Sequence, residues 1–181
     1  MLDPKEKARR YRERMLTKAK EFRPSTYRTK YVAGTFQRMI RAEYAARPDG
    51  FEPAVVKGIV EDIPRYSGEC VCVTCGTVTA WDAKQMNCGH FIGGRTASIV
   101  FEETNVAPQC AHCNSHLSGA PAEYQLWIET MYGRDEVDRL RRLKSEVVKF
   151  TIEELVDKRI YYMKRLKAAV SFMQEGLDSL F

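Results

Sequence analysis

Two cysteine pairs, Cys72-x2-Cys75 and Cys110-x2-Cys113, limit what this chain can fold into more than any other feature. Thiolates two residues apart can both reach one tetrahedral Zn²⁺, and two such pairs fill its four positions and leave none open. A closed site of that kind is structural: it staples the fold and does no chemistry. Pairing of the six cysteines as disulfides would need an oxidising compartment, and the charged N-terminus lacks the apolar core of a signal peptide. The expectation is therefore one structural zinc in a cytoplasmic protein. The 34 residues between the pairs exceed the usual gap of a compact zinc ribbon, so an insert the size of a hairpin and a loop must lie between the knuckles.

That insert begins a strand-like exit, Gly89-His90-Phe91-Ile92, and continues into a flexible loop, Gly93-Gly94-Arg95. Val71, Val73, Val78 and Trp81 flank the first pair, and β-branched and aromatic residues around a tight turn predict a short hairpin. The second pair runs into Asn114 to Leu117 before Ser118-Gly119 and Pro121, which reads as one or two turns of helix. A knuckle, a hairpin and a helix carrying the second pair make a small zinc-stapled ββα-metal (treble-clef) core, expected over residues 69–119. The fold class is α+β and mostly helical, with helical arms on both sides of that core.

Charge separates the arms. Residues 1–47 hold 14 Lys and Arg against 5 acids, whereas residues 120–181 hold 11 of each. The net charge of +5 on this 181-residue chain is thus an N-terminal property, and a basic arm beside a nearly neutral core suits a protein that grips phosphates with one part and works on them with another. A solvated helical face is the plainer alternative. No run approaches the roughly 18 apolar residues of a membrane span.

Within the arm, Asp3-Pro4 reads as a helix start, and Ala8, Tyr11, Met15, Ala19 and Phe22 form a narrow stripe up to Pro24. A second helix is expected from about Tyr31 to Ala46, with Phe36, Met39, Ile40 and Tyr44 on one face. Residues 48–68, with three prolines and three glycines, read as a linker. Beyond the core, residues 120–181 should be helical: a segment up to Tyr132, a second marked by Val137, Leu140, Leu143 and Val147, and a long helix opened by the capping box Thr151/Glu154. In that helix Val156, Met163, Val170 and Leu177 recur every seven residues beside Leu166, Met173 and Leu180, broken by Arg159. These heptads can pair two chains into a homodimer or pack on the first helices of their own chain.

The chemistry rests on two residues. Phosphodiester hydrolysis needs a group to take a proton from the attacking water and positive charge where the phosphorane becomes negative. His90 can be that general base, since an ordinary imidazole is largely neutral at pH 7. Asn114 offers a hard carbonyl oxygen for Mg²⁺ or Mn²⁺ and is fixed by its neighbour Cys113; a helix-capping role is its alternative. Arg95 can reach a phosphate from its glycine loop. His112 and His116 sit four apart and read as surface or DNA-contacting residues, and Cys88 is too soft for Mg²⁺.

Asn87-Cys88-Gly89-His90-Phe91, Phe101-Glu102-Glu103-Thr104-Asn105, Gln109-Cys110-Ala111-His112-Cys113-Asn114 and Leu117-Ser118-Gly119 together resemble the HNH endonuclease core of the phage lambda NinG (Rap) family. The Cys-x2-Cys-Asn step is also similar to phage recombination endonuclease VII. The resemblance extends over roughly residues 69–168. It implies structure-selective cleavage of branched DNA, such as Holliday junctions and D-loops, during phage recombination in the bacterial cytoplasm. It also implies that Asn105 ties the loop to the hairpin and orients His90. In many members of the wider HNH superfamily an Asp or His precedes the base and binds the metal; here that position is Gly89. Asp82, Glu102, Glu103 and Glu123 are then the acids that could fold inward as a second ligand. The competing reading is a zinc-stabilised DNA-binding or recombination-accessory protein without catalysis.

Overall fold

The computed structural model describes residues 3–94 and 96–178. Along these residues three helices precede the six strands of three two-stranded antiparallel sheets, and three more helices follow them. Helix α1 (Pro4–Ala19) starts at Asp3 with proline in its first turn. It lies along the C-terminal helix α6 (Ile152–Asp178), held by Arg12 donating to both carboxylate oxygens of Asp157 at 2.6 and 2.8 Å. Its stripe docks by one edge: Ala19 is buried, while Met15, Leu16 and Phe22 pack partly buried and Ala8 is exposed.

After α1 the chain makes one long helical run with an irregularity inside it. A short α2 (Pro24–Tyr27) passes through a wide π-helical turn (Arg28–Val32) into α3 (Ala33–Ala45). Helix α3 is not a solvated arm. Phe36, Met39 and Ile40 pack with Leu155, Val156 and Tyr162 of α6 and with Val106, while Ala42 and Ala45 face the cysteines. A helix with apolar residues on two faces belongs inside a fold rather than beside it.

Residues 48–68 are not a linker, as the sequence led us to expect, but a β-hairpin. Strand β1 (Gly50–Val56) pairs antiparallel with β2 (Ile59–Arg65), from Gly50 opposite Arg65 to Val56 opposite Ile59. Lys57 and Gly58 close it with φ of +50° and +81°, the pair of left-handed residues that matches strand twist in a two-residue turn. The hairpin is tied inward: Val55 N–H donates to Val73 O at 2.9 Å, and Trp127 Nε1 donates to Pro53 O at 2.8 Å.

The central pieces are β3 (Glu69–Val71) with β4 (Val78–Ala80), and β5 (Met86–His90) with β6 (Val106–Cys110). A second π-helical turn, His112–His116, follows β6. Helices α4 (Pro121–Tyr132) and α5 (Arg134–Lys144) then cover this region, burying Tyr124, Trp127, Ile128, Val137 and Leu140 against Val55, Val73, Ile99 and Ala107. Val147, expected on the α5 stripe, lies beyond the helix end and is 88% exposed. The capping box forms: Thr151 Oγ1 accepts from Glu154 N–H, and Thr151 N–H donates to Glu154 Oε2. Along α6, Val156, Leu166, Val170 and Met173 all pack against this chain's own residues. The heptad residues therefore have an intramolecular partner surface. Leu180 and the side chain of Leu177 lie outside the described residues.

Candidate functional site

The first knuckle forms because the chain turns sharply after β3. Cys72 N–H donates to Thr77 O, and the N–H groups of Cys75 and Gly76 both donate back to Cys72 O. Gly76 takes φ +76° there, a left-handed conformation that glycine adopts without strain. Cys110 ends β6 and Cys113 sits in the following π turn. The four sulfur atoms lie within 4.8 Å of one another, with Cys75 Sγ and Cys110 Sγ 3.7 Å apart. Zn–S bonds of about 2.3 Å arranged tetrahedrally place sulfurs about 3.8 Å apart. The four thiols thus have the separation and softness to hold a zinc ion. Burial pushes the Cys72 thiol up to about 11, so ionisation near neutral pH falls to the metal. Cys88 is fully enclosed, and burial raises its pKa; it lies apart from the cluster. Cys70, held up at about 12 by burial, donates to Arg41 O.

His90 is the last residue of β5, paired opposite Val106. Its Nε2 lies 3.3 Å from Val100 O. A carbonyl can only accept, so this contact selects the tautomer with the proton on Nε2 and leaves Nδ1 as the basic nitrogen. Burial pushes the imidazole below its ordinary 6.5, partly opposed by that hydrogen bond. Asn105 is fully buried and holds the chain just past His90: its Oδ1 accepts from Ile92 N–H at 2.8 Å, and its Nδ2 donates to Ile92 O at 3.2 Å. Its own carbonyl accepts from Phe91 N–H. Two residues at the mouth of a long loop are thereby locked to the base of the next strand.

His90 and Asn114 line one cleft of about 490 Å³, together with Gly93, Gly94, Val100, Ser118 and Gly119. The opposite wall comes from the helical run: Arg28, Thr29, Ala33, Gly34 and Gln37. Sequence reasoning assigned these five residues to a DNA-gripping arm and missed that they face the cleft; a glycine in the polar face of a helix was the available signal. Among the described lining residues no carboxylate appears. Glu102 instead pairs with Arg139 at 3.0 Å, and Glu103 pairs with Arg165; Asp82 and Glu123 do not line the cleft either. For a hard divalent ion the described lining residues offer the Asn114 carbonyl and none of the carboxylates that usually hold Mg²⁺, so the remaining ligands would have to be water and substrate oxygens. Arg95 lies outside the described residues. The rings of His112 and His116 stack 5.7 Å apart on the exposed side of the π turn.

Gly89 has a steric cause. A Cβ built there would fall onto Oε1 of Gln109, because the Gln109 side chain lies across the strand. Gln109 is fully buried and bridges the site: its Nε2 donates to Thr74 Oγ1 at 3.0 Å and to Gly119 O at 2.7 Å. The place where a preceding metal ligand would project is thus filled by a residue that fastens the first knuckle to the second.

Fold and site together define a mixed α+β protein with small antiparallel sheets, in which four cysteines that can hold a metal clamp a hairpin beside a cleft. No helix among the described residues is long and apolar enough to cross a membrane. A family model described as Bacteriophage Lambda NinG protein matches residues 5–171, and the chain belongs to that family. It is 32% identical over 99 residues to Protein ninG of Escherichia phage lambda, covering 53% of this chain and 46% of that protein. Protein ninG of Salmonella phage P22 is 31% identical over the same length, and that of Enterobacteria phage H19B is 33% identical over 86 residues, 46% of this chain and 40% of that protein. The chain spans about half the length of the curated relatives it matches. No solved structure matches it.

Proposed function

We propose that this protein is an HNH-type, metal-dependent endonuclease that hydrolyses phosphodiester bonds in branched DNA during phage recombination, acting in the host cytoplasm. The observation that carries this reading is that His90 and Asn114, from different elements, line one cleft whose described residues include a cation and no carboxylate. Such a cleft attracts phosphate. In the proposed chemistry His90 accepts a proton from the attacking water at Nδ1, while Val100 O fixes the ring. Asn105 positions His90 by holding Ile92. Asn114 would hold Mg²⁺ or Mn²⁺, which supplies charge stabilisation at the phosphorane. Arg95 would contact a phosphate. A zinc held by Cys72, Cys75, Cys110 and Cys113 keeps the treble-clef core closed and takes no part in catalysis. The preference for branched DNA rests on the sequence resemblance alone.

One observation favours a second reading. A cleft without a carboxylate among its described residues holds a divalent ion weakly by itself, as a non-catalytic DNA-binding accessory protein would. Incubation with labelled four-way junction, D-loop and linear duplex in the presence of Mg²⁺ separates the two. Nicking of branched DNA by the wild type, abolished in His90→Ala with DNA binding retained, is the expected result. Nicking that survives in His90→Ala overturns the mechanism, and binding without nicking under any divalent metal supports the accessory reading.

A further inference from the structure

We propose that the helical wall opposite His90, centred on Gly34, is a docking track for one unpaired DNA strand. Gly34 is the point of closest approach, and Arg28 and Gln37 donate to its phosphate oxygens. The inference rests on the nucleic-acid reading of the cleft and deepens it, by assigning the N-terminal helical run to the site itself.

Three independent observations meet on this wall. Gly34 sits in the first turn of α3, inside the continuous run from Pro24 to Ala45, where glycine costs about 1 kcal/mol relative to alanine. Nothing among the described residues explains it: a Cβ at Gly34 would meet none of their atoms within 4 Å, and its φ is not left-handed. By contrast, the Cβ of Gly89 would strike Gln109. A glycine whose missing side chain would point into open space, on the wall of a cleft, keeps that space clear for an occupant.

The second observation is the π-helical turn of Arg28–Val32, which directly precedes α3. Such turns are rare and mark functional segments. Here the π turn brings Arg28 and Thr29 onto the same wall as Gly34 and Gln37. A second π turn, His112–His116, presents Asn114 from the other side, so both irregular turns front one cleft.

The third is the shape and chemistry of the lining. From Arg28 to Gln37 the wall runs about 13 Å along the helix axis, which suits an extended chain better than an isolated anion. The wall offers a guanidinium and an amide as donors, the Thr29 hydroxyl being committed to Ser25 O, and the lining includes, among the described residues, no carboxylate to repel a phosphate. A volume of about 490 Å³ is that of a small-ligand pocket, too small for a duplex. The cleft thus suits one unpaired strand, as at a branch point, passing between this wall and His90.

The test uses the full chain with Gly34→Leu, Gly34→Ala and a control, Ala8→Leu, which adds one carbon fewer than Gly34→Leu at an exposed position on α1. Thermal unfolding and zinc content report the fold. Fluorescence anisotropy with a labelled single-stranded oligonucleotide, a linear duplex and a four-way junction reports binding. Both Gly34 variants should melt at or above the wild-type temperature with zinc retained. Single-strand and junction affinity should fall at least tenfold in Gly34→Leu and by less in Gly34→Ala, while Ala8→Leu binds as the wild type does. Unchanged single-strand affinity in Gly34→Leu, a loss confined to duplex, or no oligonucleotide binding by the wild type overturns the proposal. Binding that depends on Gly34 in a protein that nicks nothing would uphold the track and sink the nuclease reading, so the two fail separately.

Discussion

At the scale of single residues, His90 and Gly89 are neighbours shaped by different forces. Desolvation lowers the His90 pKa, so its neutral, basic form persists to a lower pH than in an exposed imidazole. If it is the general base, the acid limb of the nicking rate should fall below pH 6.5 and reflect one group, and that limb should vanish from the residual rate of His90→Ala. The sign for stability is the same. A depressed folded pKa contributes stability that is complete above the unfolded value near 6.5 and is lost as pH falls through the folded value. Gly89 answers to packing instead. Gly89→Ala should destabilise by about 1–3 kcal/mol through its collision with Gln109, a drop of roughly 2–12 °C in a chain of this size. In a Gln109→Ala background the same change should cost much less, and a double-mutant cycle by thermal unfolding measures that coupling. Equal costs in both backgrounds would show that the strand itself, not the glutamine, demands glycine.

At the scale of elements, the loop between β5 and β6 depends on one side chain. Asn105 makes two hydrogen bonds to the Ile92 backbone while fully buried. Asn105→Ala leaves the Ile92 N–H and C=O without those partners, so it should cost about 2–4 kcal/mol. Asn105→Asp at neutral pH sets a buried carboxylate oxygen against the Ile92 carbonyl and should cost at least as much as Asn105→Ala; urea titration of both variants checks the order. The zinc frame, the β5 exit and the capping box of α6 were legible in the sequence because each rests on local spacing. The hairpin of residues 50–65 was not, for identifiable reasons. Pro53 and Pro64 argued against strands, yet a two-stranded ribbon has two free edges on which a missing N–H does no harm. Its turn uses Lys57-Gly58 where Asn-Gly would have been the recognisable signal. Its buried face carries Glu52, held by Arg65 and Arg47, so charge masked the apolar alternation. The second wall of the cleft was hidden for another reason: long-range apposition of Gly34 to His90 leaves no mark on local periodicity.

At the scale of the whole molecule, the cysteine cluster is the point where distant parts of the chain meet. Its sulfurs share an apolar cluster with Ala42 and Ala45 of α3, Ala120 before α4, and Ala169 and Met173 of α6. Helix α3 also binds the core through Arg41, whose Nη1 donates to Met86 O at 2.8 Å. Small side chains let both helices come close to the knuckles, so they add little apolar area that could replace the metal. Four thiols held at these separations without a metal or a disulfide gain no covalent constraint, and burial keeps Cys72 protonated at neutral pH. A bound zinc would therefore act on the whole fold, not on a peripheral finger. The purified protein should carry one zinc per chain. A chelator at pH 7 should lower the melting temperature by more than about 10 °C and abolish DNA binding with the same dose response. Metal affinity should weaken as pH falls, because protons compete for the thiolates. Cys72→Ala and Cys113→Ala should lose the zinc, while Cys70→Ala and Cys88→Ala, equally buried but outside the cluster, should retain it. Metal analysis of the four variants alongside their melting curves is decisive: zinc lost from Cys88→Ala, or an unchanged melting temperature after zinc removal, would mean that the helices hold the knuckles and not the reverse.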